Sequence, residues 1–329
     1  VYTVTVGDYF IFVDGTNGAD AASGSKTDPV DDIREGILLA EAAGKDVCVA
    51  VGTYLVNSNS AVPAEQEIVL TDGVSLYGGY SADGNWNRNI TQNVTIITDI
   101  AAVAGLTRAV LCGAAITSST TVDGFTINAG TGDGSTAVYC QGAAVFSHNV
   151  INGFSGAQAA GTSYAVHIIG GAATFSGNTL HGGNYSSCYG IYMWNGSSAA
   201  ISNNTIDAGG GTNISTAVYC SDSAPSFNGN TFDGGTAKFT RCLVLSMSAT
   251  PTVNGNKFDT SGGGTNVGLM ESDDDDEPEY FTNNEFVSAF DTRYQDFSGG
   301  SSHAFNDIAD INNLDANGYN PPDSVYGNF

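Results

Sequence analysis

Basic residues are scarce in this chain, with nine Lys and Arg in 329 residues against 34 Asp and Glu, for a net charge of −25. A surface so acidic repels phosphate backbones and anionic lipid, so nucleic acid and acidic membrane faces are poor partners. The same charge suits a soluble long β structure, the attraction of divalent cations, or a salty medium, and composition does not separate the three. No run of 18 apolar residues occurs, so membrane insertion is not expected. Helix-length apolar patterns are missing from 105 to 290, which excludes leucine-rich horseshoes with helical backs as well as ankyrin-type and tetratricopeptide arrays. Six cysteines are compatible with an oxidising compartment, but they are too few for a disulfide-dense scaffold and none has zinc-like Cys-x-x-Cys spacing. The four histidines, His148, His167, His181 and His303, show neither metal nor triad spacing. The sequence opens at Val1 without a charged leader or apolar core, from which a processed, exported protein, extracellular or at the cell surface, is expected.

What the chain has in quantity is a beat. Asparagine followed two residues later by Ile, Leu, Val or Phe recurs at Asn149, Asn178, Asn204, Asn230, Asn256 and Asn284, at intervals of 29, 26, 26, 26 and 28 residues. A second phrase keeps the same interval: Val110-Leu-Cys112, Val138-Tyr-Cys140, Val166-His-Ile168, Ile191-Tyr-Met193 and Val218-Tyr-Cys220. One period therefore holds at least two short strands. A repeat of this length marks stacked units, because no single unit buries its apolar face alone. Alternation such as Thr136, Val138, Cys140 against Ala137, Tyr139 predicts one face inward and one outward. The arrangement left is a coil of parallel strands, each pairing with its copies about 4.8 Å above and below. Asparagine suits the bend between strands, and stacked copies can bond amide to amide, so the six asparagines are read as an internal structural ladder.

The division expected along the chain is a strand arm over 1–7, an opening module with a capping helix over 8–98, regular coils over 99–290, and a closing cap with an extended tail over 291–329. In the opening module, Tyr9 to Val13 reads as a strand. Asp31 to Ala43 reads as a helix burying Ile33, Ile37, Leu38 and Ala40, started by Asp28-Pro29 and stopped by Gly44. Phe305 to Leu314 reads as a short closing helix. The strand, the helix, then Val49-Ala-Val-Gly-Thr-Tyr54, Ile68-Val-Leu70 and Gly73-Val-Ser-Leu-Tyr-Gly-Gly-Tyr80 resemble the opening of secreted bacterial β-helix proteins. Most of the chain resembles the right-handed parallel β-helix proteins of the pectate-lyase-like superfamily, in its secreted, non-catalytic repeat branch. That resemblance implies an all-β solenoid whose N-terminal helix covers the first coil.

Catalytic members of that superfamily cleave acidic polysaccharides, and the resemblance implies an outer-face set of carboxylates with a Lys or Arg, or clustered aspartates with the phrases N-T-D, D-D, G-H-G and R-I-K. Only Arg108, Lys238, Arg241 and Lys257 among the basic residues fall in the regular coils. N-T-D, G-H-G and R-I-K are absent, and Asp31-Asp32 and Asp273 to Asp276 sit on a predicted helix and a loop. No catalytic residue is assigned and no cofactor is expected beyond candidate Ca²⁺ at Asp273, Asp274, Asp275 and Asp276, where the density of hard oxygens is high but the spacing of a wrapped calcium loop is lacking. Cys112 and Cys140 share a phase in adjacent coils and form a candidate disulfide, or two small inward residues. Tyr139, His167, Tyr192 and Tyr219, with Trp194 close by, form an outward ribbon for a glycan or partner, or a self-stabilising ladder. Val1, Tyr2, Thr3, Val4, Thr5 and Val6 alternate as a spare strand that adds to its own sheet or to a neighbour's. Six Asn-x-Ser/Thr triplets carry no weight in so Asn- and Ser-rich a chain. The function expected first is an exported structural protein that assembles with itself by strand addition or end-to-end stacking. The competing class is a carbohydrate-active enzyme or a sugar-binding adhesin.

Overall fold

The structure, a computed structural model, describes residues 9–62, 65–102, 105–156, 160–298, 300–312 and 314, and the backbone of 325–327. The candidate assembly strand Val1 to Val6 lies outside the described residues, as does most of the tail. Among the described residues the strands form three sheets of eleven, ten and nine strands. Each coil visits them in turn: Ser135–Cys140 in the ten-stranded sheet, Val145–Ser147 in the eleven-stranded sheet, Val150–Asn152 in the nine-stranded sheet, then Thr162–Ile169 back in the first. The successive copies pair in parallel and in register, as in Val138 with Val166 and Ile151 with Leu180. The molecule is an all-β parallel β-helix. The strand Thr95–Asp99 spans the boundary drawn at 98 and pairs on both sides, so the opening module and the coils share unbroken sheets. No described helix is long and apolar enough to cross a membrane.

The core is a set of inward columns. Val122, Phe146, Phe175, Ile201, Phe227, Val253 and Phe281 follow one another in register along the eleven-stranded sheet, all wholly buried. Phe146 and Phe175 stack face to face at 4.7 Å, which is the strand spacing expressed in rings. In the ten-stranded sheet alternation fails at Ala137 and Val138, which are consecutive and both wholly buried. The ten-stranded sheet kinks inward there, and its copies are Ala165, Gly190, Ala217 and Cys242, small residues because a Cβ at Gly190 would already lie 2.6 Å from the Ala217 carbonyl.

The capping helix runs Ile33–Ala43 and closes on Gly44 at φ 62°. Its start differs from expectation. Asp32 is the cap, accepting from the Arg34 N–H at 2.7 Å, because Asp28 is occupied in the preceding loop by the Ser23 N–H. The buried face is Ile33, Gly36, Ile37 and Ala40, while Leu38 is 65% exposed, being off that stripe. At the other end the last full coil is covered by a hairpin, Thr292–Ser298 with Ser301–Phe305, the latter antiparallel to the former. The closing helix is shorter than predicted, Ile308–Ile311, since Phe305 belongs to that hairpin. Val325–Gly327 adds to Tyr280–Thr282 as the last strand of the eleven-stranded sheet.

Candidate functional site

The six asparagines end up wholly or almost wholly buried, in one line at the corner between the eleven- and nine-stranded sheets. Asn178 Nδ2 donates to the Phe146 carbonyl at 2.9 Å and to Asn204 Oδ1 at 3.0 Å, and its backbone N–H donates to the same Oδ1 at 2.8 Å. Asn149, Asn204, Asn230 and Asn256 repeat this pattern, and Asn284 receives from Asn256 and donates to Val253. The ladder is internal scaffolding and presents nothing to a ligand.

Cys112 and Cys140 are register partners and both buried, but they are free thiols rather than a disulfide. In-register Cβ atoms on parallel strands keep roughly the 4.8 Å strand spacing, beyond the 3.5–4.5 Å span of a disulfide. Cys140 Sγ donates to the Gly142 carbonyl at 3.7 Å and Cys112 Sγ to that of Gly113 at 4.0 Å, and the neighbouring Cys140 thiol lowers the Cys112 pKa.

The four aspartates of the acidic loop do not converge on a common point. Asp273, Asp274 and Asp275 are exposed, whereas Asp276 is buried and accepts from the backbone N–H groups of Ala249, Ser272 and Asp273 at 3.1, 3.2 and 2.9 Å. Its carboxylate is spent on closing the loop, so the four do not make a cation site together.

Tyr139, His167, Tyr192 and Tyr219 do share an outward column, and a second column beyond the kink adds Tyr164 and Tyr189. Tyr192 and Tyr219 stack at 4.9 Å and 1°, and Tyr164 and Tyr189 at 5.4 Å. Arg108 lies over Tyr139 at 5.4 Å. Tyr139 with His167 and His167 with Tyr192 meet edge to face at 5.3 Å, so most of the rings are engaged with one another. Burial among the rings drives the His167 pKa down to about 4. Trp194, 43% exposed, is in register with Ile169 and stands apart from the stack.

Where the nine-stranded sheet turns back to the ten-stranded sheet, the outer wall is almost bare of side chains. Gly183, Gly209 and Gly235 occupy one phase with φ of 105°, 91° and 79°. A Cβ on Gly209 would sit 2.1 Å from the Gly183 carbonyl, and one on Gly235 2.1 Å from the Gly209 carbonyl, so only glycine fits this corner. Asp207 and Asp233 set the turns by accepting the Gly209 and Gly235 N–H groups at 2.8 and 2.9 Å. The bare corner leaves a groove of about 940 Å³ running along several coils.

One side of the groove is a register column of polar strand ends: Thr98, Asn128, Asn152, His181 and Asp207. Asn152 Nδ2 donates to Asn128 Oδ1 at 2.8 Å, Asn128 Nδ2 to Thr98 Oγ1 at 3.0 Å, and His181 Nδ1 meets Asp207 Oδ2 at 3.2 Å. Burial pushes the Asp207 pKa up, but the His181 and Gly209 hydrogen bonds outweigh it and hold the carboxyl below its ordinary value. The half-buried Phe154 ring, 4.8 Å from that of the buried Tyr185, gives an apolar patch inside the groove. Among the described lining residues none is Lys or Arg, while Asp99 and Asp207 are acidic.

A second His–Asp pair lies outside the groove, on the eleven-stranded sheet. Asp123 receives Arg88, Ser147 at 2.5 Å and His148 at 2.8 Å, and Arg88 lies over Tyr77 and Tyr80. This cluster ties the 81–93 loop to the sheet. Both pairs escape a search for linear spacing. They are found by asking which residues stand about one period apart, 26 for His181 and Asp207 and 25 for Asp123 and His148.

Residues 110–286, more than half of the chain, match the family described as the right handed beta helix region. Among solved structures, the chain is similar to the A-module of the mannuronan C-5 epimerase AlgE4 of Azotobacter vinelandii at 15% identity, covering 89% of this chain and 100% of that one, with a TM-score of 0.34. It is similar to the pectate lyase Pel9A at 12% identity, covering 98% and 89%, with a TM-score of 0.35. A third likeness is to ORF18 of Geobacillus virus E2 at 11% identity, covering 88% and 61%, with a TM-score of 0.38. These likenesses are remote and carry no conclusion about activity. No match is found among curated protein sequences. The family match and the three in-register sheets together place the chain in the right-handed β-helix family.

Proposed function

We propose that the chain is an exported binding protein whose axial groove holds an extended, uncharged glycan. The observation that carries this reading is the groove itself, a polar trough with amides, hydroxyls and an imidazole repeating every strand spacing and a single aromatic patch. A repeat of about 4.8 Å is close to the length of one sugar residue in an extended glycan. Side-chain amides and carboxylates that bond hydroxyls, with an aromatic ring for the apolar face of the sugar, are the groups that recognise polyols. The acidic lining and the overall charge of −25 oppose a polyuronate, which sets the proposed ligand apart from acidic substrates.

Binding without turnover is favoured because the adjacent Asp207 and Asp233 are each engaged in their own turns, with Asp207 further held by His181 and Asp233 by Ser261. Glycoside hydrolysis asks for one carboxyl group with a raised pKa, and Asp207 is held low. Calorimetric titration with neutral and uronate oligosaccharides tests the proposal. Neutral chains should bind, His181→Ala and Asn152→Ala should weaken them, and preference for uronates or release of shortened products would overturn it.

Self-assembly by end-to-end stacking finds less support. The terminal hairpin and the strand Val325–Gly327 cover two of the three sheets at the C-terminal end. Negative-stain microscopy of the full chain checks it directly, since filaments would restore that role.

A further inference from the structure

The strand Thr265–Glu271 leads into the loop 272–279, and Thr292–Ser298 passes beside it as the next strand of the ten-stranded sheet. Three carboxylates meet there. Glu271 and Asp296 are wholly buried and Glu277 nearly so, and each brings an oxygen within 4.8 Å of the other two. The buried Tyr294 hydroxyl donates to Glu271 Oε1, and Ser298 Oγ donates to Asp296 Oδ2 at 2.8 Å. The Glu271 and Asp296 carboxyl groups lie within hydrogen-bonding range of each other. Asp296 Oδ1 is buried with no hydrogen-bond partner. Asp274 of the loop adds further negative charge nearby, and His303 faces Asp296 across the hairpin.

Three water-excluded carboxylates this close are tolerated only when protons or a cation sit among them. Protons explain part of the arrangement, since burial and the neighbouring Glu277 push the Glu271 pKa well up and burial raises that of Asp296. A cation among the three would give the buried Asp296 Oδ1, which accepts no hydrogen bond, its partner. Oxygen ligands around one Ca²⁺ stand 2.3–2.6 Å from it and therefore at most about 5 Å from each other, and the three oxygens fall inside that limit. All-oxygen donors of this charge fit a hard divalent ion and disfavour zinc, which prefers nitrogen and sulfur.

We propose that Glu271, Glu277 and Asp296 form a buried calcium site that fastens the loop 272–279 and the strand Thr292–Ser298 to the last full coil. The surface aspartates Asp273, Asp274 and Asp275 are not its ligands. The site is independent of the groove and of the glycan proposal.

The test uses the full chain, stripped with a chelator and then titrated with Tb³⁺ under tyrosine excitation, since Tyr294 contacts a ligand and sensitises the ion. Tb³⁺ emission should saturate and be displaced by Ca²⁺, and Ca²⁺ at a hundredfold over its Kd should raise the Tm by roughly 4 °C. Glu271→Gln and Asp296→Asn should lose both responses. Tyr294→Phe should lose emission and keep the shift, and the combined Asp273→Asn, Asp274→Asn, Asp275→Asn variant should keep both. Should the buried variants not fold, the wild type and the exposed triple variant still decide. Absence of Ca²⁺-displaceable emission and of a shift in the wild type means that the carboxylates hold only protons and overturns the proposal. Loss of both in the exposed triple variant places the ion on the surface loop and overturns it as well.

Discussion

Removing one interior rung of the asparagine ladder, Asn204→Ala, takes away a single side chain and strands three buried partners. The Asn178 backbone N–H at 2.8 Å and its Nδ2 at 3.0 Å lose their acceptor, and the Phe175 carbonyl at 2.9 Å loses its donor. A buried polar group left unpaired costs about 1–3 kcal/mol, so with partial relaxation the variant should be destabilised by roughly 3–6 kcal/mol. Asn149→Ala is the internal comparison, because the first rung accepts from a single backbone N–H, that of Phe125, at 2.9 Å, and no rung precedes it. It should cost less than Asn204→Ala by about one buried donor, on the order of 1–3 kcal/mol. Thr205→Ala, one residue on and exposed, should stay within about 0.5 kcal/mol. A solenoid unfolds partly by segments, so urea midpoints should be read with hydrogen exchange mass spectrometry. Protection should fall first in the strands flanking the lesion, Thr174–Ser176 and Thr205–Asp207. If Asn204→Ala matches wild type within about 1 kcal/mol and exchange is unchanged, or if Asn149→Ala is the costlier, the ladder does not hold the corners and the argument fails.

Other consequences are as direct. Phe175→Ala empties the middle of the buried ring column and should cost about 3–5 kcal/mol by denaturant titration, with Phe146 losing its stacked partner. Gly209→Ala forces a methyl against the Gly183 carbonyl, so it should lower the Tm and weaken glycan binding together, whereas Gly196→Ala, at positive φ but in open space, should lower stability alone. Asp207 and Asp123 both have folded pKa values below their unfolded ones; the stability they contribute is present above about pH 4 and lost as pH falls through the depressed values. His181→Ala and His148→Ala should therefore flatten the acid limb of the stability profile. His167 has the opposite kind of shift, a base with a lowered folded pKa, so its penalty grows as pH drops below its unfolded value near 6.5. Imidazole NMR should find it titrating at about 4, and a midpoint above 6 would contradict its buried place among the rings.

The recurrence of Asn149, Asn178, Asn204, Asn230, Asn256 and Asn284 carried the coil, the parallel pairing and the buried ladder, because a stack repeats each local environment and so repeats the residue that satisfies it. The capping helix was legible from its apolar spacing and Gly44, though its cap residue was not, since Asp28 and Asp32 are alike until the preceding loop claims one of them. Cys112 and Cys140 show the limit of phase: it places Cα atoms side by side but leaves the Cβ separation to the strand pairing. Linear spacing also hid the pairs His181 with Asp207 and Asp123 with His148, which meet only across coils.

By itself the sequence determined the periodic part of this protein, namely the winding, the inward columns and the rungs, since these depend on distances of one period that recur along the chain. The tertiary structure alone decided the rest. The groove exists because glycines from three coils leave one wall bare, and the buried carboxylates meet because an insertion folds back against a strand some twenty residues on. The glycines Gly183, Gly209 and Gly235 do recur with the period, but only the winding shows that they line up as one outer wall; the carboxylates meet once, and no repeat announces them.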